Sequence, residues 1–190
     1  MRLILLLLAL LAVGACDRQK AETPQGNEAS ATPAGLEKGV DRSQKGKAAP
    51  AALFKDPDGG DISMADFKGT PVLVNLWATW CAPCVKELPT VDRLAERHAV
   101  DGELGVVAVS VDMGPRNSVK AFLDKLGIKH LGAYQDPEMA LAGALNANVM
   151  PTTILFDKDG REVWRYIGDL DWSGPEAAKL VAEAGAGAAG

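Results

Sequence analysis

The stretch Trp77-Ala78-Thr79-Trp80-Cys81-Ala82-Pro83-Cys84-Val85-Lys86-Glu87-Leu88-Pro89 decides the reading of this chain. Two cysteines flank Ala82-Pro83. Before them runs Val72-Leu73-Val74-Asn75-Leu76-Trp77, a mostly apolar run with β-branched valines, of strand type. After them Leu88, Val91, Leu94 and Ala95 recur at helical spacing, predicting a helix from Cys84 to His98. The pair therefore sits where a strand gives way to a helix N-terminus. There the unpaired N–H groups and the macrodipole favour negative charge. A thiol so placed can have its pKa lowered from about 8.5 into a range of roughly 3.5 to 7.5. Pro83 has no N–H to lose and a preset φ, which suits a first helical turn.

Chemistry follows from that placement. Cys81, the more exposed sulfur, is expected to be the nucleophile, and Cys84, one turn inside, the resolving thiol of a dithiol-disulfide couple. A structural bridge and half of a metal site are the other readings of the spacing. A bridge closing so short a loop yields little entropy. Three cysteines in all lack the paired spacing of a zinc site, and two histidines are too few for a histidine-rich one. No metal or other cofactor is expected. A charge of −5 without a basic stripe gives no sign of nucleic-acid binding.

Outward from the centre, the apolar fraction of 47% supports a packed core. Ala51–Phe54 and Ile62–Phe67 flank the turn Asp56-Pro57-Asp58-Gly59-Gly60. Val72–Trp77 and Leu104–Val111 read as buried strands. Arg116–Leu126 reads as an amphipathic helix ended by Gly127. His130–Tyr134 reads as a short strand and Pro137–Leu145 as a helix. Thr152–Phe156 and Glu162–Ile167 flank Asp157-Lys158-Asp159-Gly160 as a hairpin. Gly174–Ala184 reads as a last helix, and 185–190 as a fraying tail. His98 and His130 show no partner pattern, and Asp112 reads as a loop cap with no assigned role.

The N-terminal region is different in kind. Met1-Arg2 precedes an apolar run, Leu3–Val13, which spans roughly 17 Å as a helix against a hydrocarbon core of ~30 Å. That predicts an export signal over 1–15 rather than a membrane span. Val13-Gly14-Ala15-Cys16 resembles a bacterial lipobox, with Cys16 as the lipidated first residue of the mature chain. An ordinary cleavage site near Ala15 is the alternative. Several acyl chains suffice for stable anchoring. Asp17 resembles an inner-membrane retention signal. The stretch 16–49 is poor in large apolar residues and reads as a flexible tether.

The strand, the tryptophans, the CxxC and Lys86-Glu87-Leu88-Pro89 together resemble the TlpA/ResA group of thiol-disulfide oxidoreductases, within the thioredoxin superfamily. The resemblance covers about 51–184. It implies an α/β thioredoxin-like fold over 50–184: a central mixed sheet flanked by helices, with an N-terminal hairpin and a helical insertion before the cis-proline strand. It implies that Met150–Pro151 is a cis peptide facing the CxxC, with Met150 offering its backbone to substrate. Glu87 matches the acidic residue beneath the active site and is a proton acceptor for Cys84; a solvated first-turn acid is the alternative. Where thioredoxins proper carry aspartate, this chain has Asn75, which cannot titrate. Trp77 reads as core, while Trp80 and Pro83 supply contact surface beside Cys81. The implied activity is reduction of client disulfides on the periplasmic side of a bacterial envelope. A membrane disulfide-reductase would supply electrons. The implied clients are of the cytochrome c maturation or copper-site assembly type. Thiol exchange in the oxidising direction, a thiol peroxidase and a docking module with an idle dithiol are the competing functions.

Overall fold

A run that is apolar except for Asn75 must be covered on both faces, and all six residues of Val72–Trp77 are buried in the computed structural model, which describes residues 37–188. In chain order the strands are β1 (Gly39–Asp41), β2 (Phe54–Lys55), β3 (Asp61–Ile62), β4 (Val72–Trp77), β5 (Gly105–Ser110), β6 (Tyr134–Gln135), β7 (Thr152–Phe156) and β8 (Glu162–Ile167). The helices are α1 (Ala82–His98), α2 (Arg116–Lys125), α3 (Ala140–Ala144) and α4 (Pro175–Val181). One mixed sheet runs β1-β8-β7-β4-β5-β6-β2-β3. β4 lies at its centre, parallel to β5 and antiparallel to β7. The expected N-terminal hairpin is β2–β3, and α3 occupies the expected insertion. The fold is thioredoxin-like, with the sheet flanked by helices.

Four segments depart from the expectation. The first is the tether: its C-terminal part, 37–49, belongs to the fold. β1 pairs antiparallel with β8, Gly39 opposite Ile167 and Asp41 opposite Arg165. The next residues stay on the same strand. Gly46 N–H donates to the Glu162 carbonyl, Glu162 N–H to Lys47, and Ala49 N–H to Gly160. Edge pairing is made by backbone groups, so it needs few apolar side chains and leaves little trace in composition. The expected signal peptide and Cys16 lie outside the described residues.

Second, in place of one strand over Ile62–Phe67 there is a two-residue strand, Asp61–Ile62, followed by a 3-10 turn, Met64–Phe67. Ser63 and Asp66 form a reciprocal capping box that stops the strand. Third, the helix placed at Pro137–Leu145 begins only at Ala140. The Asp136 carboxylate takes the N–H groups of Ala140 and Ala142, and Met139 turns left-handed at φ 53° just before it. The strand placed at His130–Tyr134 is correspondingly displaced to Tyr134–Gln135. Fourth, α4 gives way at Ala182 to a 3-10 helix reaching Ala188, inside the stretch read as tail.

Candidate active site

β4 ends at Trp77, and the chain turns through Ala78-Thr79-Trp80 into α1. Asp112 braces this turn. Its carboxylate accepts the Thr79 N–H at 2.9 Å, the Thr79 hydroxyl at 2.7 Å and the Ser110 hydroxyl at 2.6 Å. Asp112 is thus the loop cap the sequence suggests, and the loop it caps is the redox loop, which the sequence does not show because the contact spans 33 positions.

Cys81 is the N-cap of α1, in extended backbone, and its sulfur accepts the Cys84 N–H at 3.3 Å. The two cysteines are joined as a disulfide. Cys81 is 6% exposed and Cys84 fully buried, the order expected of attacking and resolving sulfurs. Pro83 lies in the first helical turn, half-buried. Trp80 is 72% exposed beside the pair, and Trp77 is fully buried with its ring 6.1 Å from Phe122.

Met150–Pro151 is cis. Leu76 pairs with Thr152, which brings Met150–Pro151 to the end of β4 from which the redox loop springs. The sheet thus assembles at one pole what the sequence separates by about 70 positions.

Glu87 is 3% exposed. One carboxylate oxygen accepts the Asn75 amide at 2.7 Å; the other accepts the Leu170 N–H at 3.0 Å and the Trp172 indole N–H at 3.2 Å. Asn75 also donates to Thr153 at 2.9 Å. Burial pushes the Glu87 carboxyl up from 4.5 to about 7, against the pull of its three donors. The solvated-acid alternative is set aside by this burial. Thr153, Leu170 and Trp172 escaped the sequence reading: the last two sit in an irregular loop, where periodicity gives no signal.

Cys81, Cys84, Glu87, Trp80, Pro83, Met150 and Pro151 all belong to α1 or to the strand ends beside it. His98 and His130 stand apart, near Asp101 and Glu96 at 3.5 and 3.6 Å. Among the described residues no cluster of three or more His, Cys, Asp or Glu is placed to hold a metal ion, and no helix is long and apolar enough to cross a membrane.

Comparison with known proteins agrees with this geometry. The Redoxin family profile matches residues 44–182. The thiol-disulfide oxidoreductase ResA of Bacillus thuringiensis is 35% identical over 130 residues, covering 68% of this chain and 73% of that protein. Among solved structures, a DsbF homologue from Corynebacterium diphtheriae superposes with a TM-score of 0.61 at 25% identity, covering 80% of this chain and 96% of that one. The exposed lipoprotein thioredoxin Etrx1 of Streptococcus pneumoniae gives 0.55 at 25% identity, covering 68% and 95%. The chain belongs to the Redoxin family and is a ResA-like thiol-disulfide oxidoreductase.

Proposed function

We propose that the protein is an extracytoplasmic, lipid-anchored reductase of client-protein disulfides. The observation that carries the mechanism is the buried Glu87, one helical turn from the buried Cys84; the direction is set by the reduction potential of the pair against its partners. In the reduced protein the Cys81 thiolate attacks one sulfur of a client disulfide. The client bond breaks, a Cys81–client mixed disulfide forms, and the other client sulfur leaves as thiolate. The Glu87 carboxylate then takes the Cys84 proton. The Cys84 thiolate attacks the Cys81 sulfur and expels the second client thiolate, leaving the Cys81–Cys84 disulfide. Two electrons pass to the client, whose thiolates are protonated from water. A membrane electron donor of the disulfide-reductase kind restores the dithiol. Trp80, Pro83 and the Met150 backbone seat the client chain, the last in β-fashion.

The apolar run 3–13 ending in Val13-Gly14-Ala15-Cys16 supports export and anchoring through Cys16, to the inner membrane by the Asp17 signal. The clients we favour are apocytochrome c or copper-site assembly proteins. Equilibration of Cys81–Cys84 in thiol-disulfide buffers tests the direction. A potential at or below about −270 mV, the thioredoxin level, is expected; a value near −120 mV makes the protein an oxidant and ends the reductase reading. Trapping with Cys84→Ser is expected to capture clients on Cys81. Cys16→Ser is expected to release the protein from the membrane fraction, and unchanged fractionation excludes the lipid anchor.

A further inference from the structure

The two oxygens of the Glu87 carboxylate are held by different parts of the fold. One faces Asn75 on β4. The other receives both of its donors from the loop 168–172, between β8 and α4. That loop is fixed at several points. Gly168 N–H donates to the Pro151 carbonyl at 2.9 Å, Trp172 N–H to the Thr90 hydroxyl at 3.0 Å, and Arg97 to the Trp172 carbonyl at 3.0 Å.

The Trp172 ring is held as firmly. It is fully buried, stacked on Trp164 with centroids 6.3 Å apart, and meets Tyr166 edge-on at 6.0 Å. Most buried indole N–H groups find an acceptor, though that of Trp77 does not, and a backbone carbonyl suffices: Trp164, the other member of the stack, donates to the Leu180 carbonyl. Trp172 donates instead to a carboxylate that titrates. A fixed donor favours the ionised form and fixes its direction.

We propose that Trp172 is a positioning residue for the reaction: its indole N–H aims the Glu87 carboxylate and, together with Asn75 and the Leu170 N–H, sets the pH range in which Glu87 takes the Cys84 proton. The inference rests on the role given to Glu87 above. The other groups around Glu87 are Asn75 and Thr153 from the sheet, Thr90 and Lys86 from α1, Asp169 and Asp171 from the loop, Tyr166 from β8, and Lys38, which is paired with Asp169 at 2.7 Å. None of the charged ones donates to Glu87, so the pH range depends on the indole more directly than on them.

The test uses the reduced full chain carrying Cys16→Ser, which leaves Cys81 and Cys84 as its two thiols, and Ellman's reagent, whose first released thiolate reports attack by Cys81 and whose second reports resolution by Cys84. Both rates are followed from pH 5 to 9 in the native chain, in Trp172→Phe, and in a chain with benzothienylalanine at 172, which keeps the bicyclic outline and lacks the N–H. The native resolution rate is expected to rise through a limb near pH 7. Loss of one hydrogen bond to a charged group is expected to move that limb up by about one pH unit in both variants, slowing resolution about tenfold on the limb. The pH dependence of the attack step is expected to stay in place. A limb that moves in neither variant, or only in the phenylalanine one, overturns the role of the N–H. Glu87→Gln separates the two readings. If it leaves the limb intact, the Glu87 role itself fails; if it abolishes a limb that Trp172 variants do not shift, only the present inference fails.

Discussion

Asn75 is the residue on which the site turns. It occupies the middle of β4, fully buried, and its one amide nitrogen serves both Glu87 and Thr153. An aspartate here would set a second carboxyl at hydrogen-bonding distance from Glu87, and two such groups hold one proton between them at neutral pH. Asn75→Asp is therefore expected to raise the pH of half-maximal resolution by more than one unit. A pH profile unchanged from the native one would show that Asn75 does not govern Glu87. At this scale the sequence was informative where chemistry is local. Cys81, Cys84, Pro83 and Glu87 lie within two helical turns of one another, and their spacing alone places them together. Trp172 and Asp112 reach the site across 85 and 33 positions, and nothing in a single sequence ties such residues to their partners.

Among the elements, α1 does more than present the cysteines. Asp92, on its buried face, accepts the backbone N–H groups of Lys129, His130 and Leu131 at 3.2, 2.7 and 3.1 Å. One side chain thus fastens the helix to the turn that follows α2. Asp92→Ala leaves three donors without that acceptor and is expected to cost about 3 kcal/mol. Urea unfolding of the oxidised protein measures it; a loss under about 0.5 kcal/mol, the range of neutral surface changes, contradicts the assignment. The same contact shows why element boundaries were less legible than element types. Long periodic segments such as α1, α2, β4 and β8 announce themselves. Short ones are set by side-chain caps, as Asp136 sets the start of α3 and Asp66 the turn after β3. A cap can be recognised only once its partners are known.

For the whole molecule, the Glu87 carboxyl is a standing charge against stability. Its ordinary value of 4.5 is carried to about 7 on folding, so the fold prefers it protonated. That preference stabilises fully below pH 4.5 and is lost as pH rises through about 7. The loss amounts to about 3 kcal/mol. Glu87→Gln is therefore expected to gain on the native chain by about that amount between pH 4 and pH 8, read from paired urea titrations of the oxidised proteins. A difference between the two that stays flat with pH would show that burial leaves Glu87 untouched. The fold class itself was legible at this scale because the order of strands and helices, together with the redox motif, admits few arrangements.

The arm 39–49 has a consequence for how molecules of this protein meet one another. It lies along β8 and the turn before it, from Ile167 to Gly160, and takes up backbone groups that would otherwise face outward from a six-residue strand buried at every position. An open edge of that length is a template for another copy. A chain beginning at residue 50 is expected to keep its dithiol yet self-associate as its concentration rises, which sedimentation velocity would detect. The strand that composition assigned to a tether is what lets the sheet end with its own chain instead of a neighbour's.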